Sequence, residues 1–193
     1  MNSHQVTLET ERLLLREFVE ADFATTHNYG SDPEVTRFLI WGPNSDDQTR
    51  DYLQRIIAQQ REEPRQGYVL AIVLKNGGLH IGACGMRINS LSHREAEIGY
   101  VLGRDNWGRG YATEATKAIV KFGFEQLQLH RIMATAALGN TASQKVLLKT
   151  GMKREGTLRE HLFVRGAWRD SAMFSVLEQE HRRLDRGGPR ESA

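Results

Sequence analysis

The sequence predicts an α/β (α+β) domain with a mixed, mostly antiparallel sheet of about seven strands flanked by helices. Three observations predict it. Between Gly67 and Leu102 lie three β-rich runs divided by turns, the pattern of an antiparallel meander. A glycine-bearing loop, Gly103 to Gly110, then leads into a stretch with helical spacing and on to another β-rich run. Two last β-rich runs, about Lys153 to Val164 and Trp168 to Leu177, flank a turn at Arg165-Gly166.

At 193 residues the chain suits one compact domain with a sizeable core. We read residues 1–181 as that domain and residues 182–193, charged and glycine-containing, as a fraying tail. A net charge of +2 gives no reason to expect nucleic acid or an anionic membrane as a partner. The single cysteine, Cys84, excludes an internal disulfide and accords with a reducing compartment. Its apolar strand context reads as a buried small hydrophobe rather than a nucleophile. No apolar run approaches the roughly 20 residues of a membrane span. The N-terminal stretch lacks the basic and apolar regions of a signal peptide, so the expected location is cytoplasmic. The seven histidines are scattered without HxxxH or HExxH spacing, and no metal site is expected.

Taken in order, Val6 to Phe18 reads as a first strand, rich in β-formers towards its end. Glu20 to Tyr29 and Asp32 to Leu39 look helical, with Pro33 suited to a first helical turn. A turn follows at Trp41-Gly42-Pro43-Asn44. Asp46 to Glu63 spaces Tyr52, Leu53, Ile56 and Ile57 as one helical stripe. Tyr68 to Leu74 and Leu79 to Ile88 are strands joined at Asn76-Gly77-Gly78, a strong hairpin signal, and Glu95 to Leu102 completes the meander. The helix opening near Tyr111 carries Ala115, Ala118, Ile119 and Phe122 on one face, widened by Val120, Phe124 and Leu127. Arg131 to Ala137 is the next strand. A further helix opens at Asn140-Thr141, where Thr141 and Gln144 have capping-box spacing, and stops at Gly151.

The chemistry concentrates around the loop. Gly108 and Gly110 flank Arg109 and let a ligand approach the backbone closely. The helix behind them offers unpaired N–H groups and the positive end of its dipole, a setting that binds an anion, most often a phosphate. A P-loop is excluded, because no GxxxxGK[ST] run exists. A dinucleotide fingerprint fits poorly, since Thr113 stands at the third glycine position and no acid ends the following strand. A pyrophosphate held by loop N–H groups in front of a helix remains. Glu97, in the strand just before, is a possible base.

Four segments in order, TERLLLREF, WGRGYATEA, LHRIMATAALGNTASQKVLLKTGM and LREHLFVRGAWRD, carry a resemblance. They are similar to the GCN5-related N-acetyltransferase (GNAT) superfamily, and most to its ribosomal-protein alanine acetyltransferase (RimJ/RimL-like) branch. The resemblance covers about Thr7 to Glu178. It implies a sheet splayed between the fourth and fifth strands, those of Glu97 and Arg131, and direct acetyl transfer from acetyl-CoA to a primary amine. It implies that N–H groups from Arg109 through Gly110, Tyr111 and Ala112 to Thr113 hold the pyrophosphate, with Gly108 opening the approach. Val101 and Leu102 would pair with the pantetheine arm, and the N–H near Val101 would polarise the thioester. Glu97 matches the general base, and Asn140 the asparagine that bonds the pantetheine arm. Ser143 would protonate the departing thiolate, directly or through water. Arg104, Arg109, Lys145 and Lys149 are candidates for the CoA phosphates, and Trp41 for the acceptor entrance.

The chain departs from the family pattern at three places. Asp105 holds the first motif position, Leu147 stands where the family often has a tyrosine assigned as general acid, and Met152 replaces a phenylalanine. The branch suggests a protein N-terminus as acceptor. A small-molecule amine (polyamine, aminoglycoside or amino acid derivative) is the alternative, and a non-catalytic CoA-binding module a third. A homodimer through the Trp41 region or an edge strand is a further expectation.

Overall fold

Alternation of buried and exposed residues along short runs, such as Leu13, Leu15 and Glu17 inward, builds the sheet of this protein. The computed structural model describes residues 5–185, of which 184 and 185 by backbone alone. Its strands are β1 (Thr7–Glu9), β2 (Leu13–Glu17), β3 (Gly67–Leu74), β4 (His80–Ser90), β5 (Glu95–Leu102), β6 (Arg131–Ala137), β7 (Lys153–Val164) and β8 (Ala167–Leu177). Its helices are α1 (Phe23–Gly30), α2 (Pro33–Thr36), α3 (Asp46–Gln59), α4 (Tyr111–Glu125), α5 (Thr141–Lys149) and α6 (Glu178–Asp185). One sheet results, in the order β1-β2-β3-β4-β5-β6-β8-β7. Every neighbouring pair is antiparallel except β5 with β6.

The strand count is eight among the described residues, because the first strand is two. Thr10 bends the chain: its N–H reaches the Leu13 carbonyl at 3.0 Å, and its hydroxyl accepts the Leu13 N–H at 2.9 Å. The meander β3–β4–β5 is as expected, with Gly77 and Gly78 both at positive φ in its turn. Arg165 and Gly166, also at positive φ, make the tight turn between β7 and β8.

Two helices are shorter than their patterns suggest. The second was expected to run to Leu39 and ends at Thr36. The Arg165 guanidinium takes the carbonyls of Thr36, Leu39 and Gly42 at 3.0, 3.2 and 2.8 Å, drawing them off the helical path. α3 stops at Gln59 rather than Glu63, in tight turns ahead of Pro64, which disfavours a helical residue before it. The cap of α5 is Asn140, not Thr141: Asn140 Oδ1 accepts the Ser143 N–H at 3.0 Å. Gln144, the expected capping-box partner, turns instead to the carbonyls of Ala137 and Leu138. α6 was not read from sequence; it crosses position 182, and residues 186–193 of the expected tail lie outside the described residues.

The sheet has two unlike faces. α4 and α5 cover one, over a core that includes Ile98, Leu102, Ile119, Ile132, Leu147 and Phe174. The other carries a smaller cluster, in which Leu53 and Ile56 of α3 meet Ala71, Val73 and Ala83, with Val101 against it. Cys84 lies in the larger core, fully buried, and burial pushes its thiol up to about 12. It is the inert hydrophobe the sequence suggests.

Asp22, buried at the base of α1, holds Arg16 through two 2.8 Å bonds and accepts the Val19 N–H at 2.9 Å. Burial alone would raise its carboxyl, but these donors outweigh that and keep it below its ordinary value. A depressed carboxyl stabilises the fold above its unfolded-state pKa, and the contribution is lost as pH falls through the folded value. Asp22→Asn, which leaves Arg16 without its counter-charge, is expected to cost about 2 kcal/mol at pH 7. In urea unfolding that gap should hold down to about pH 5 and close towards pH 3 and below. A gap independent of pH over this range would mean that the charge of Asp22 does not matter.

Candidate active site

The pairing of β5 with β6 is brief. It runs from Glu95 with Arg131 to Glu97 with Met133 and then ceases, although both strands continue. Beyond Glu97 the two strands diverge, which gives the opening between the Glu97 and Arg131 strands that was expected. Their facing backbone groups lose their partners there.

Which groups face the opening follows from the ladder with β4. Gly103 donates its N–H to Ile81 at 2.9 Å, and the Val101 carbonyl lies over Gly82. Residues 101 and 103 therefore direct their backbone at β4, and Tyr100 and Leu102 direct theirs at the gap. This corrects the expected role of Val101, whose N–H belongs to the sheet. The Leu102 carbonyl is itself occupied, because Trp107 Nε1 donates to it at 2.9 Å. On the β5 side, the backbone groups of Tyr100 and the Leu102 N–H are thus turned to the gap.

Side chains alternate likewise. Glu97 points to the same face as Val101, the side of α3, and Tyr100 to the opposite face, the side of α4 and α5. Glu97 is half-buried, and the Thr135 hydroxyl of β6 donates to its Oε1 at 3.5 Å. Tyr100 reaches across to the first turn of α5. Its hydroxyl donates to the Ser143 carbonyl at 3.0 Å and lies 2.9 Å from Ser143 Oγ. Burial pushes the Tyr100 phenol well above its ordinary value, so it stays neutral at any working pH. Leu147 is buried in the core, so that position offers no polar group to the gap.

At the end of β5, Arg104–Asn106 make a single tight turn and Gly108 and Gly110 follow, both exposed and both at positive φ. Gly110 is the residue before α4 and carries no side chain to cap it. The first intrahelical bond is donated by Glu114, to the Gly110 carbonyl at 3.1 Å. The N–H groups of Tyr111, Ala112 and Thr113 are thus free of helical partners and open towards the loop. A side chain at Gly108 would stand in open space, so the loop is accessible from outside. This is a fit for an anion: N–H donors, a helix dipole and no side chain in the way.

The other expected residues divide. Asn140 commits Oδ1 to the α5 cap, leaving its amide N–H groups for a ligand. Arg109, Lys145 and Lys149 are exposed, while Arg104 turns to Asp32 at 3.5 Å. Trp41 stacks on Tyr52 of α3, ring centroids 6.4 Å apart, and its carbonyl accepts from Arg165 at 3.3 Å. It belongs to a strap, Tyr29 to Gly42, that spans the far mouth of the opening. At one end Tyr29 adjoins Gly103. At the other Phe38 touches Gly139 and gives its carbonyl to Arg169 at 2.7 Å. Tyr100, Thr135, Arg165 and Arg169 were missed in the sequence. Only the alternation along EAEIGYVL could have flagged Tyr100, by setting it on the face opposite Glu97.

Over residues 12–153 the chain matches the family described as acetyltransferase (GNAT) domain. The chain belongs to the GNAT acetyltransferase family. This GNAT protein is 39% identical to an uncharacterized N-acetyltransferase, p20, of Bacillus licheniformis, over 91% of this chain and 98% of that one. A ribosomal-protein-S5-alanine acetyltransferase from Vibrio fischeri shares the fold at a TM-score of 0.76 and 25% identity, covering 90% of this chain and 97% of that one. A spermidine N-acetyltransferase from Vibrio cholerae, solved with CoA and spermine, shares it at 0.77 with 20% identity, covering 90% and 99%. The chain is thus an acetyltransferase of GNAT type, and the two solved proteins that share its fold are named for different acceptors.

For this acetyltransferase, Tyr100→Phe is expected to lower stability by about 1 kcal/mol, the worth of one neutral hydrogen bond. Its pH–rate profile should keep the shape of the wild type's, because the phenol stays neutral. A limb between pH 6 and 10 that vanishes in the variant would show instead that Tyr100 titrates during turnover.

Proposed function

We propose that the protein transfers acetyl directly from acetyl-CoA to a primary amine, and that this amine is the α-amine of a protein N-terminus. The observation that carries the donor reading is the cradle of unpaired N–H groups at Tyr111–Thr113, behind Gly108 and Gly110, at one end of the strand gap. Acetyl-CoA would supply the activated thioester and a diphosphate to hold. The N–H groups from Gly110 to Thr113 would bind that diphosphate, with Arg109 and Lys145 as charged neighbours. The free backbone of Tyr100 and the Leu102 N–H would pair with the pantetheine arm, and Asn140 would offer its amide N–H groups to it. The Tyr100 N–H is the donor available to a thioester carbonyl.

Glu97, on the opposite face, would take the proton of the incoming amine, directly or through one water. Ser143, held by Tyr100, would return a proton to the thiolate. The Tyr100 hydroxyl, which donates to the Ser143 carbonyl and lies beside Ser143 Oγ, would orient Ser143 for that step, with a water completing the proton's path to the thiolate. Positioning both reactants within about 3–3.5 Å would provide much of the acceleration. One carboxylate suits an α-amine, whose pKa is near 7.7–8.0, better than a lysine side chain near 10.4. The S5-alanine acetyltransferase of the same fold adds support for a protein N-terminus. The spermidine enzyme keeps a small-molecule amine as the second reading.

Thiol release from acetyl-CoA, screened over N-terminal peptides, polyamines and aminoglycosides, separates the two. Turnover with peptides and none with free lysine is the expected result; a polyamine as best acceptor would overturn it. Glu97→Gln should lower kcat by about 10²–10⁴-fold and leave the Kd for CoA nearly unchanged. A loss below about threefold would remove Glu97 from the role of base.

A further inference from the structure

The segment TERLLLREF has no part in the reading above, yet its Arg12 reaches the glycine loop. We infer that Arg12 is a positioning residue that locks the peptide between Arg109 and Gly110 with the Gly110 N–H turned to the donor's diphosphate. This rests on the acetyl-CoA reading and names one more residue for the same site.

Arg12 lies in the β1–β2 turn, almost a hundred positions from the loop in sequence. Its Nη1 donates to the Arg109 carbonyl at 3.0 Å. Its Nε donates to Glu114 Oε2 at 2.7 Å, and its Nη2 lies 2.6 Å from the same oxygen. The other carboxylate oxygen, Oε1, accepts the Arg12 N–H at 2.8 Å and the Thr10 hydroxyl at 2.6 Å. The guanidinium also lies over the Tyr111 ring, 4.7 Å from its centroid. One side chain thus binds the loop, the first turns of α4 and the β1–β2 turn together.

Two consequences follow from elementary geometry and charge. In a planar trans peptide the carbonyl and the next N–H point in opposite directions. Holding the Arg109 carbonyl therefore aims the Gly110 N–H away from Arg12. Gly110, at φ +82°, lacks the Cβ that would restrict this peptide, so rotation of the 109–110 unit is cheap unless something holds it. Arg12 is what holds it. The same guanidinium also neutralises Glu114, a carboxylate in the opening turns of a helix proposed to receive a diphosphate.

The test compares wild type, Arg12→Gln and Arg12→Lys by calorimetry with CoA, together with turnover of acetyl-CoA and S-acetylpantetheine, a thioester with no diphosphate. Both variants should weaken CoA binding about three- to tenfold. Lysine keeps the charge but has no planar fork to reach the Arg109 carbonyl and Glu114 together. S-acetylpantetheine turnover should change by less than twofold. Wild-type affinity in Arg12→Lys would reduce Arg12 to a charge and overturn the positioning role. Equal losses with both thioesters would make it a general structural contact, and no loss in Arg12→Gln would exclude it. Failure of the wild type to bind CoA would instead overturn the donor reading itself, and this inference with it.

Discussion

The abrupt end of the β5–β6 ladder at Glu97 and Met133 is the constraint from which the site follows. A sheet normally satisfies its backbone groups strand by strand, and leaving a row unpaired is costly. Here the row is left open on purpose-built terms: the strap from Tyr29 to Gly42 crosses the far mouth, and Tyr100 spans the near face to Ser143. Because α5 follows directly on β6, that bond ties β5 to the element that β6 leads into.

The gap also divides the chemistry between two faces. Residues an odd number of positions apart on a strand point oppositely, so Glu97 and Tyr100, three apart, do not serve the same ligand surface. Glu97 shares the α3 face with Thr135 near it, and Tyr100 shares the other with Ser143 and the cradle before α4. A donor lying in the gap would have its thiol end near one face and the amine would come from the other. Direct transfer needs no residue to carry the acetyl group, which agrees with a buried and unreactive Cys84.

Much of this was legible in the sequence because local chemistry decides it. The meander needed only period-two alternation and Asn76-Gly77-Gly78, and the cradle needed only glycines ahead of an amphipathic helix. What was illegible depends on long-range contacts. Nothing near Leu39 announces that Arg165, over a hundred positions on, will take the carbonyls of the α2 turn and end the helix early. The split of the first strand hangs on one threonine hydroxyl. The backbone direction at Val101 is a matter of register with Gly82, which no residue type encodes, so the sequence does not tell that Tyr100 rather than Val101 turns its N–H to the gap. The roles of Arg12 and Glu114 were hidden for the same reason, each looking like an ordinary surface charge.

The central claim is that an adenylated thioester lies along the β5–β6 gap with its diphosphate on the α4 cradle. A backbone amide NMR titration with CoA reads this residue by residue. The account predicts the largest shift changes at Gly108 to Thr113, with a second set at Tyr100 and Leu102 and little at Val101. Perturbations centred elsewhere, or Val101 moving in place of its two neighbours, would contradict it.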